Sequence, residues 1–290
     1  MLDIAGTARI VSDLHLRVDR PDLTERFARF LADTAAARVE TLFVLGDLFE
    51  YWIGDDDLAD PFNARVCHLL RNLADQGTQI LFMAGNRDFL IGETFAAAAG
   101  LGLLGETETV RLSAASHAGA LREASSPSEA LNSASCPAGT ASIRARADIR
   151  ADAAGGAVTL LMHGDTVCTD DLPYQEFRRM VRSLGWQKTF LARSLAERRA
   201  EVASLRRRSI AAVKDKTAAI MDASAIAIRA ALTAHGCTRL IHGHTHRPGR
   251  EDIQLASGSA ERWVLSDWDT GRGDALELGA AGVRRIDLRC

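Results

Sequence analysis

Thr41-Leu42-Phe43-Val44-Leu45-Gly46-Asp47 is the stretch on which the fold turns. A short apolar, partly β-branched run stops abruptly at a glycine and a carboxylate, the pattern of a buried strand that ends where a ligand can be met. Four other runs end the same way: Arg9–Ser12 before Asp13-Leu14-His15, Gln79–Ala84 before Gly85-Asn86-Arg87-Asp88, Val158–Met162 before His163-Gly164-Asp165, and Arg239–Ile241 before Gly243-His244-Thr245-His246. Helical patterns such as Leu23–Ala37 and Asn63–Gln76 lie between them, so strands and helices alternate as in an α/β sheet. Ligand sites in such sheets gather at the carboxyl ends of strands. Every polar cluster here sits at such an end.

The chain has 290 residues, 47% of them hydrophobic and 25% charged, which suits an ordinary globular enzyme of one or two domains. A net charge of −3 gives no general reason to expect nucleic acid. The five cysteines are widely spaced without a C-x-x-C pair, so neither a disulfide framework nor a zinc knuckle is expected, and a reducing cytoplasm fits them. No basic segment followed by an apolar one precedes Asp13, so export is not expected. The most apolar stretch, Phe95–Leu104, is far short of the roughly 20 residues that span a bilayer, and any membrane contact is expected to be peripheral.

Two segments interrupt the alternation. Residues 113–156 are rich in Ala, Ser, Gly and Arg, cannot build a core, and read as a flexible insertion. Residues 174–235 carry Leu, Phe, Met and Val at helical spacing among Arg and Lys, and read as a helical cap. The expected core is therefore 1–112, 157–173 and 236–290. From Arg178 to Lys216 there are twelve lysines and arginines against three acids, so this cap is locally basic within an acidic chain. For most of Arg198, Arg199, Arg206 and Arg207 the expectation is a solvated helix face.

A lone Asp13-Leu14-His15 triplet is weak, since a turn carboxylate beside a surface histidine gives the same letters. The ordered set is another matter: D-x-H, then GD, then GN, then H, then G-H-x-H resembles the signature of the calcineurin-like metallophosphoesterases, which implies a layered α/β core. Two divalent ions roughly 3.5–4 Å apart need several ligands and a shared bridge. Asp13, His15, Asp47 and His246 can surround one ion and Asp47, Asn86, His163 and His244 the other, with Asp47 as the bridging carboxylate. Imidazole, carboxylate and amide donors without thiolate suit manganese, iron or zinc, and the hard oxygen-and-nitrogen set leans toward Mn2+. Gly46, Gly85 and Gly243 keep the turns open beside the ions. His68, His117 and His235 read as structural or solvated, and His242 either points away from the ions or supports them from behind.

Closer still is the resemblance to the UDP-2,3-diacylglucosamine diphosphatase family of lipid A biosynthesis. It rests on Ser12-Asp13-Leu14-His15-Leu16, Leu45-Gly46-Asp47-Leu48-Phe49-Glu50, Trp52-Ile53-Gly54-Asp55-Asp56, Gly85-Asn86-Arg87-Asp88-Phe89-Leu90, Met162-His163-Gly164-Asp165-Thr166, Cys168-Thr169-Asp170-Asp171 and Ile241-His242-Gly243-His244-Thr245-His246-Arg247-Pro248, and spans nearly the whole chain outside 113–156. The resemblance implies hydrolysis of the pyrophosphate of UDP-2,3-diacylglucosamine by metal-activated water attacking the α phosphorus, with Asn86, Arg87 and His244 acting on the phosphates. Arg87 replaces the histidine of many relatives; it neutralises charge bidentately and does not donate a proton at neutral pH. The resemblance further implies a lid over the substrate and places Asp171, Ser209 and Lys216 beside Asn86, Arg87 and His244 as substrate contacts, although Val213 departs from the family's polar cap pattern. Trp186, Phe190, Leu191 and Leu195 either line an acyl chamber or form the cap's own core. A basic, apolar-studded cap would let the enzyme settle from the cytoplasm on the anionic surface of the inner membrane. The alternatives are another nucleotide pyrophosphatase or phosphodiesterase of the superfamily, a metal-free adaptor, and a nucleic-acid binder, against which stands the absence of interleaved aromatics on the basic helices.

Overall fold

The structure is a computed structural model that describes residues 1–113, 145–150, 157–214 and 222–289. Its strands are β1 (Leu2–Ala5), β2 (Ala8–Val11), β3 (Thr41–Val44), β4 (Gln79–Met83), β5 (Leu101–Leu104), β6 (Thr107–Ser113), β7 (Ala145–Arg150), β8 (Thr159–Met162), β9 (Arg239–His242), β10 (Gly249–Leu255), β11 (Gly258–Val264), β12 (Asp274–Gly279) and β13 (Gly282–Asp287). They form two sheets, in the orders β5-β4-β3-β2-β12-β13-β7 and β1-β6-β8-β9-β11-β10. The five runs expected to be strands are β2, β3, β4, β8 and β9. β2 through β5 pair in parallel, as do β8 and β9, so the chain ends of these strands point the same way within each sheet.

Period-two alternation builds the layers. In β3, Leu42 and Val44 face a cluster made with three helices, α1 (Pro21–Ala36), α2 (Pro61–Asp75) and α3 (Glu93–Ala99), whereas Phe43 belongs with Leu160, Leu240 and Ile241 of the other sheet. Helix α1 opens on a proline with Asp22 in its first turn and buries Leu23, Phe27, Phe30, Leu31 and Thr34 along one stripe. Phe27 and Phe30 meet Trp268 edge-on, with ring centroids 6.3 and 5.8 Å apart, and each fully buried aromatic of this kind stabilises the fold by roughly 1.5–3 kcal/mol. Helix α2 starts at Asp60, whose carboxylate accepts the Phe62 N–H at 3.0 Å.

Four further helices follow: α4 (Leu172–Val181), α5 (Leu184–Leu191), α6 (Leu195–Lys214) and α7 (Ala225–His235). α7 lies within the span read as cap, but it buries Ile228 and Leu232 in one cluster with Leu160, Leu161, Leu240 and Ile241 and so packs as part of the core. α4 to α6 remain as the candidate lid, and their residues line a cavity with Asn86 and Arg87. Of the four arginines expected on a solvated face, Arg199 and Arg207 are exposed, whereas Arg198 and Arg206 turn toward the core. Arg198 is 2% exposed and donates to the Ile53 carbonyl at 2.6 Å and to Asp56 at 2.9 Å. Arg199 pairs with Asp57, and Arg206 approaches Glu50 at 3.2 Å. Net charge along a sequence does not reveal that acids sit across the gap.

Residues 145–150, read as part of a loop insertion, form β7, which pairs antiparallel with β13 in the register Ile286↔Ala145 and Val283↔Arg150. The alternating letters Ala-Arg-Ala-Asp-Ile-Arg carry a strand period that the surrounding composition hides. The rest of the insertion after Ser113, His117 included, lies outside the described residues.

Candidate active site

The loops after β2 and β3 run side by side. Asp13 N–H donates to the Gly46 carbonyl at 3.1 Å, His15 N–H to Asp47 at 2.9 Å, and Leu16 N–H to Leu48 at 2.9 Å, which sets Asp13 and His15 against Asp47. From the other sheet, His244 N–H donates to Asp13 Oδ2 at 2.8 Å. Asp13, His15, Asp47, His244 and His246 all adopt left-handed backbone, with φ between 48° and 65°; among the described residues Arg38 is the only other non-glycine that does so. Such conformations persist only where surrounding contacts impose them. Glycines give the room: a Cβ on Gly243 would lie 2.0 Å from Asp13 Oδ2, and one on Gly46, at φ +83°, would lie 2.4 Å from the Gly85 Cα.

Two groups of ligand atoms result. Asp13, His15 and His246 converge, as do Asp13, Asp47 and His163, the atoms of each group lying within 4.8 Å of one another. In the first, His246 Nε2 is 3.3 Å from Asp13 Oδ1 and 3.3 Å from His15 Nε2. In the second, His163 Nδ1 donates to the Leu45 carbonyl at 2.8 Å, so its Nε2 carries the lone pair of the neutral ring and faces Asn86 Oδ1 at 2.9 Å and Asp47 Oδ1 at 3.7 Å. His244 Nδ1 also lies 2.9 Å from Asn86 Oδ1. All seven expected ligands are thus brought together.

These residues fit divalent cations. Asp13 Oδ1 is buried without a hydrogen-bond partner, and lone-pair atoms crowd against one another, an arrangement that a shared cation relieves. Burial and mutual charge perturb these groups in both directions, and the neighbouring carboxylates raise His163 and His246 in spite of burial. Burial pushes the Asp47 carboxyl up, whereas on Asp13 burial is outweighed by the close His246 ring and the neighbouring imidazoles, which hold it well below the usual carboxylate range. Burial brings His15 down to about 3 and His244 to about 4, the neutral ring that a metal ligand requires.

Other side chains hold the loops. Buried Asp88 accepts from Leu48 N–H at 2.7 Å and Gly85 N–H at 2.9 Å, clamping the turns after β3 and β4, and Arg87 N–H donates to Asp47 Oδ1 at 2.9 Å. His242 turns its ring away from the ligand groups: Nδ1 donates to the Gly243 carbonyl at 2.8 Å and Nε2 accepts from Arg262 at 2.8 Å, so it buttresses the glycine turn from behind. His68 and His235 are exposed.

Beside the ligand groups, under the lid, lies a cavity of about 370 Å³ in which Asn86, Arg87, Tyr174 and Arg206 join Phe89, Leu90, Phe177, Val181, Trp186, Phe190, Val202 and Leu205. Trp186 and Phe190 stack with centroids 4.7 Å apart, and Leu195 packs against the core while Leu191 is 41% exposed, so the four apolar cap residues divide between lining, packing and surface. Asp171 accepts the Tyr174 N–H at 3.2 Å and caps α4. The side chain of Ser209, and Lys216 altogether, lie outside what is described. Sequence reading missed Tyr174, whose ring lies 5.6 Å from that of His244, and Asp165, which receives Tyr174 Oη at 3.1 Å and Arg178 Nε at 2.6 Å. Asp165 stood in a quoted motif; nothing in its spacing told which helix it would reach.

Residues 8–248 match the calcineurin-like phosphoesterase family. A UDP-2,3-diacylglucosamine hydrolase of Chromohalobacter salexigens is 39% identical over 267 residues, covering 92% of this chain and 91% of that protein. One from Aromatoleum aromaticum is 41% identical over 262 residues, covering 90% and 89%, and one from Pseudomonas putida is 36% identical over 275 residues, covering 95% and 96%. Together with the ligand residues at its strand ends, this likeness over almost its full length means that the chain belongs to the calcineurin-like phosphoesterases and, within them, to the UDP-2,3-diacylglucosamine hydrolase family.

Proposed function

We propose that the protein hydrolyses the pyrophosphate bond of UDP-2,3-diacylglucosamine, giving UMP and 2,3-diacylglucosamine 1-phosphate, and that two divalent ions, Mn2+ by ligand type, are held by Asp13, His15, Asp47, Asn86, His163, His244 and His246. The observation that carries this reading is that Asn86, which meets His163 and His244, and Arg87, whose N–H donates to Asp47, both stand in the wall of a largely apolar cavity, so that a phosphate and a greasy tail can be held by one molecule. Asp47 is the bridging candidate: its Oδ2 lies 4.0 Å from His15 Nε2 and its Oδ1 3.7 Å from His163 Nε2. The ions would supply a water of lowered pKa and a positive field at the phosphates. Arg87 binds the pyrophosphate oxygens with its planar fork and stabilises charge as the bond to the leaving phosphate breaks; no protonation is needed, because phosphate leaves as an anion. Asn86 and His244 orient the phosphate beside it. The lid's Trp186 and Phe190 cover the acyl chains, while Asp171, Ser209 and Lys216 remain the further substrate contacts that family likeness suggests.

Access to a lipid substrate follows from the lid's outer face. Leu172, Met180 and Leu184 are 71%, 50% and 85% exposed, beside the basic Arg179 and Lys188. Apolar side chains that enter the headgroup region, together with about 1 kcal/mol of attraction per basic residue near an anionic surface, favour a peripheral position on the cytoplasmic face of the inner membrane. No described helix is long and apolar enough to cross it.

Hydrolysis of UDP-2,3-diacylglucosamine in H₂¹⁸O with Mn2+ tests the reading. The expected result is release of both products with the label in UMP. Label in the sugar phosphate would move the attack to the other phosphorus, and no turnover by protein with its ions bound would refute the substrate.

A further inference from the structure

We infer that Glu50 is a positioning residue that joins the lid to the metal-binding side of the site. It closes the stretch Leu45-Gly46-Asp47-Leu48-Phe49-Glu50, and its backbone is pinned by donation from its N–H to the Leu16 carbonyl at 3.0 Å. The residue is 8% exposed, so its carboxylate sits where it is placed.

Its two oxygens face different parts of the machinery. Oε1 lies 3.2 Å from Arg206 Nη2 of α6 and 3.8 Å from Arg87 Nη1. Oε2 lies 3.7 Å from His15 Nδ1 and 3.5 Å from Arg17 Nη1. Three guanidinium groups, from the lid and from two core loops, therefore converge on one buried negative charge. Without it Arg87 and Arg206 would repel each other inside the cavity they both line, and neither would be held for an incoming phosphate. The same carboxylate acts on His15. That ring's Nδ1 is buried without a hydrogen-bond partner, while its Nε2 points at Asp13, Asp47 and His246. The pull of Glu50 on a proton at Nδ1 selects the tautomer whose Nε2 lone pair faces the ligand group.

This inference rests on the reading in which His15 holds an ion and Arg87 meets a phosphate. Glu50→Gln keeps the size of the side chain and removes its charge. Titrating Mn2+ into chelator-stripped protein by calorimetry should show binding weakened about 10-fold, and kcat should fall about 10- to 100-fold with KM within about 3-fold of wild type. Glu50→Asp should recover part of both losses, and in an Arg206→Gln background the effect of Glu50→Gln on kcat should shrink by at least half on a logarithmic scale. Metal affinity and kcat both within about 2-fold of wild type would overturn the inference. So would equal losses in Glu50→Asp and Glu50→Gln that track a fall in melting temperature, the mark of a purely structural role. If the wild-type protein failed to turn over UDP-2,3-diacylglucosamine, the substrate reading would fall, and the Mn2+ titration would still decide the role of Glu50 toward His15.

Discussion

At Gly243 there is no space for a methyl group, since it would meet Asp13 Oδ2 at 2.0 Å and Ser12 Oγ at 2.2 Å. Overpacking of this kind costs roughly 1–3 kcal/mol, and here the strain falls on a ligand whose other contacts hold His244 in place. Gly243→Ala should therefore fold yet bind less than one ion per chain by elemental analysis, with kcat lowered about 100-fold or more. Arg87→Lys makes a different demand. It keeps the charge and loses the fork, so kcat should drop about 10- to 100-fold with metal content unchanged; an unaltered rate in steady-state assays would take Arg87 out of the reaction. At this scale the side chains that converge at the strand ends were readable from the ordered set of motifs, where any single motif would not have sufficed. The carboxylates that support them were not, although Asp88, Asp165 and Glu50 all stood in the same motifs. Spacing tells which face a side chain leaves from, and these three act by what they reach across the fold.

Among the elements, the lid is held by its arginines as well as by an apolar seam of Trp186, Phe190, Leu195 and Val202. Arg198 bonds the Ile53 carbonyl and Asp56 from α6, and Arg178 bonds Asp165 from α4. Hydrogen bonds to charged groups contribute roughly 1.5–3 kcal/mol, at the lower end where the partner is exposed, as Asp56 is. Arg198→Ala should loosen α5 and α6, visible as faster amide exchange in both helices, and raise KM for the diacylated substrate about 10-fold while changing kcat less. Unchanged exchange would show that the apolar contacts of Leu195 and Val202 suffice. The helical character of this region was plain from its periodicity, but its boundary was not: α7 continues the same pattern and belongs to the core, because a helical stripe looks alike whether a lid or a sheet covers it. β7 was missed for the converse reason, a six-residue strand period inside a low-complexity run.

Among the described residues the whole molecule is a pair of sheets whose strand ends meet at one place, with α4 to α6 packed beside it. Replacing residues 114–144 with a short Gly/Ser linker, and leaving Ala145–Arg150 intact, should keep kcat within a few-fold. Removing those six residues as well would bare the edge of β13, and a lower melting temperature with greater aggregation is expected. A loss of several orders of magnitude in a folded linker variant would give the stretch a direct part in turnover. The left-handed backbone of Asp13, His15, Asp47, His244 and His246 has a broader consequence. Chemistry and sturdiness pull this chain in opposite directions: the geometry that makes it useful is geometry it would relax out of if released from its work. A variant freed of that duty should outlast its parent: Asp47→Asn still accepts from Arg87 N–H and no longer sets a buried charge beside Asp13 and Asp88, so its ion-free form should melt above the ion-free wild type in calorimetry while turning nothing over. A lineage that lost its substrate would then drift toward a tougher, inert relative by a handful of substitutions at these five positions.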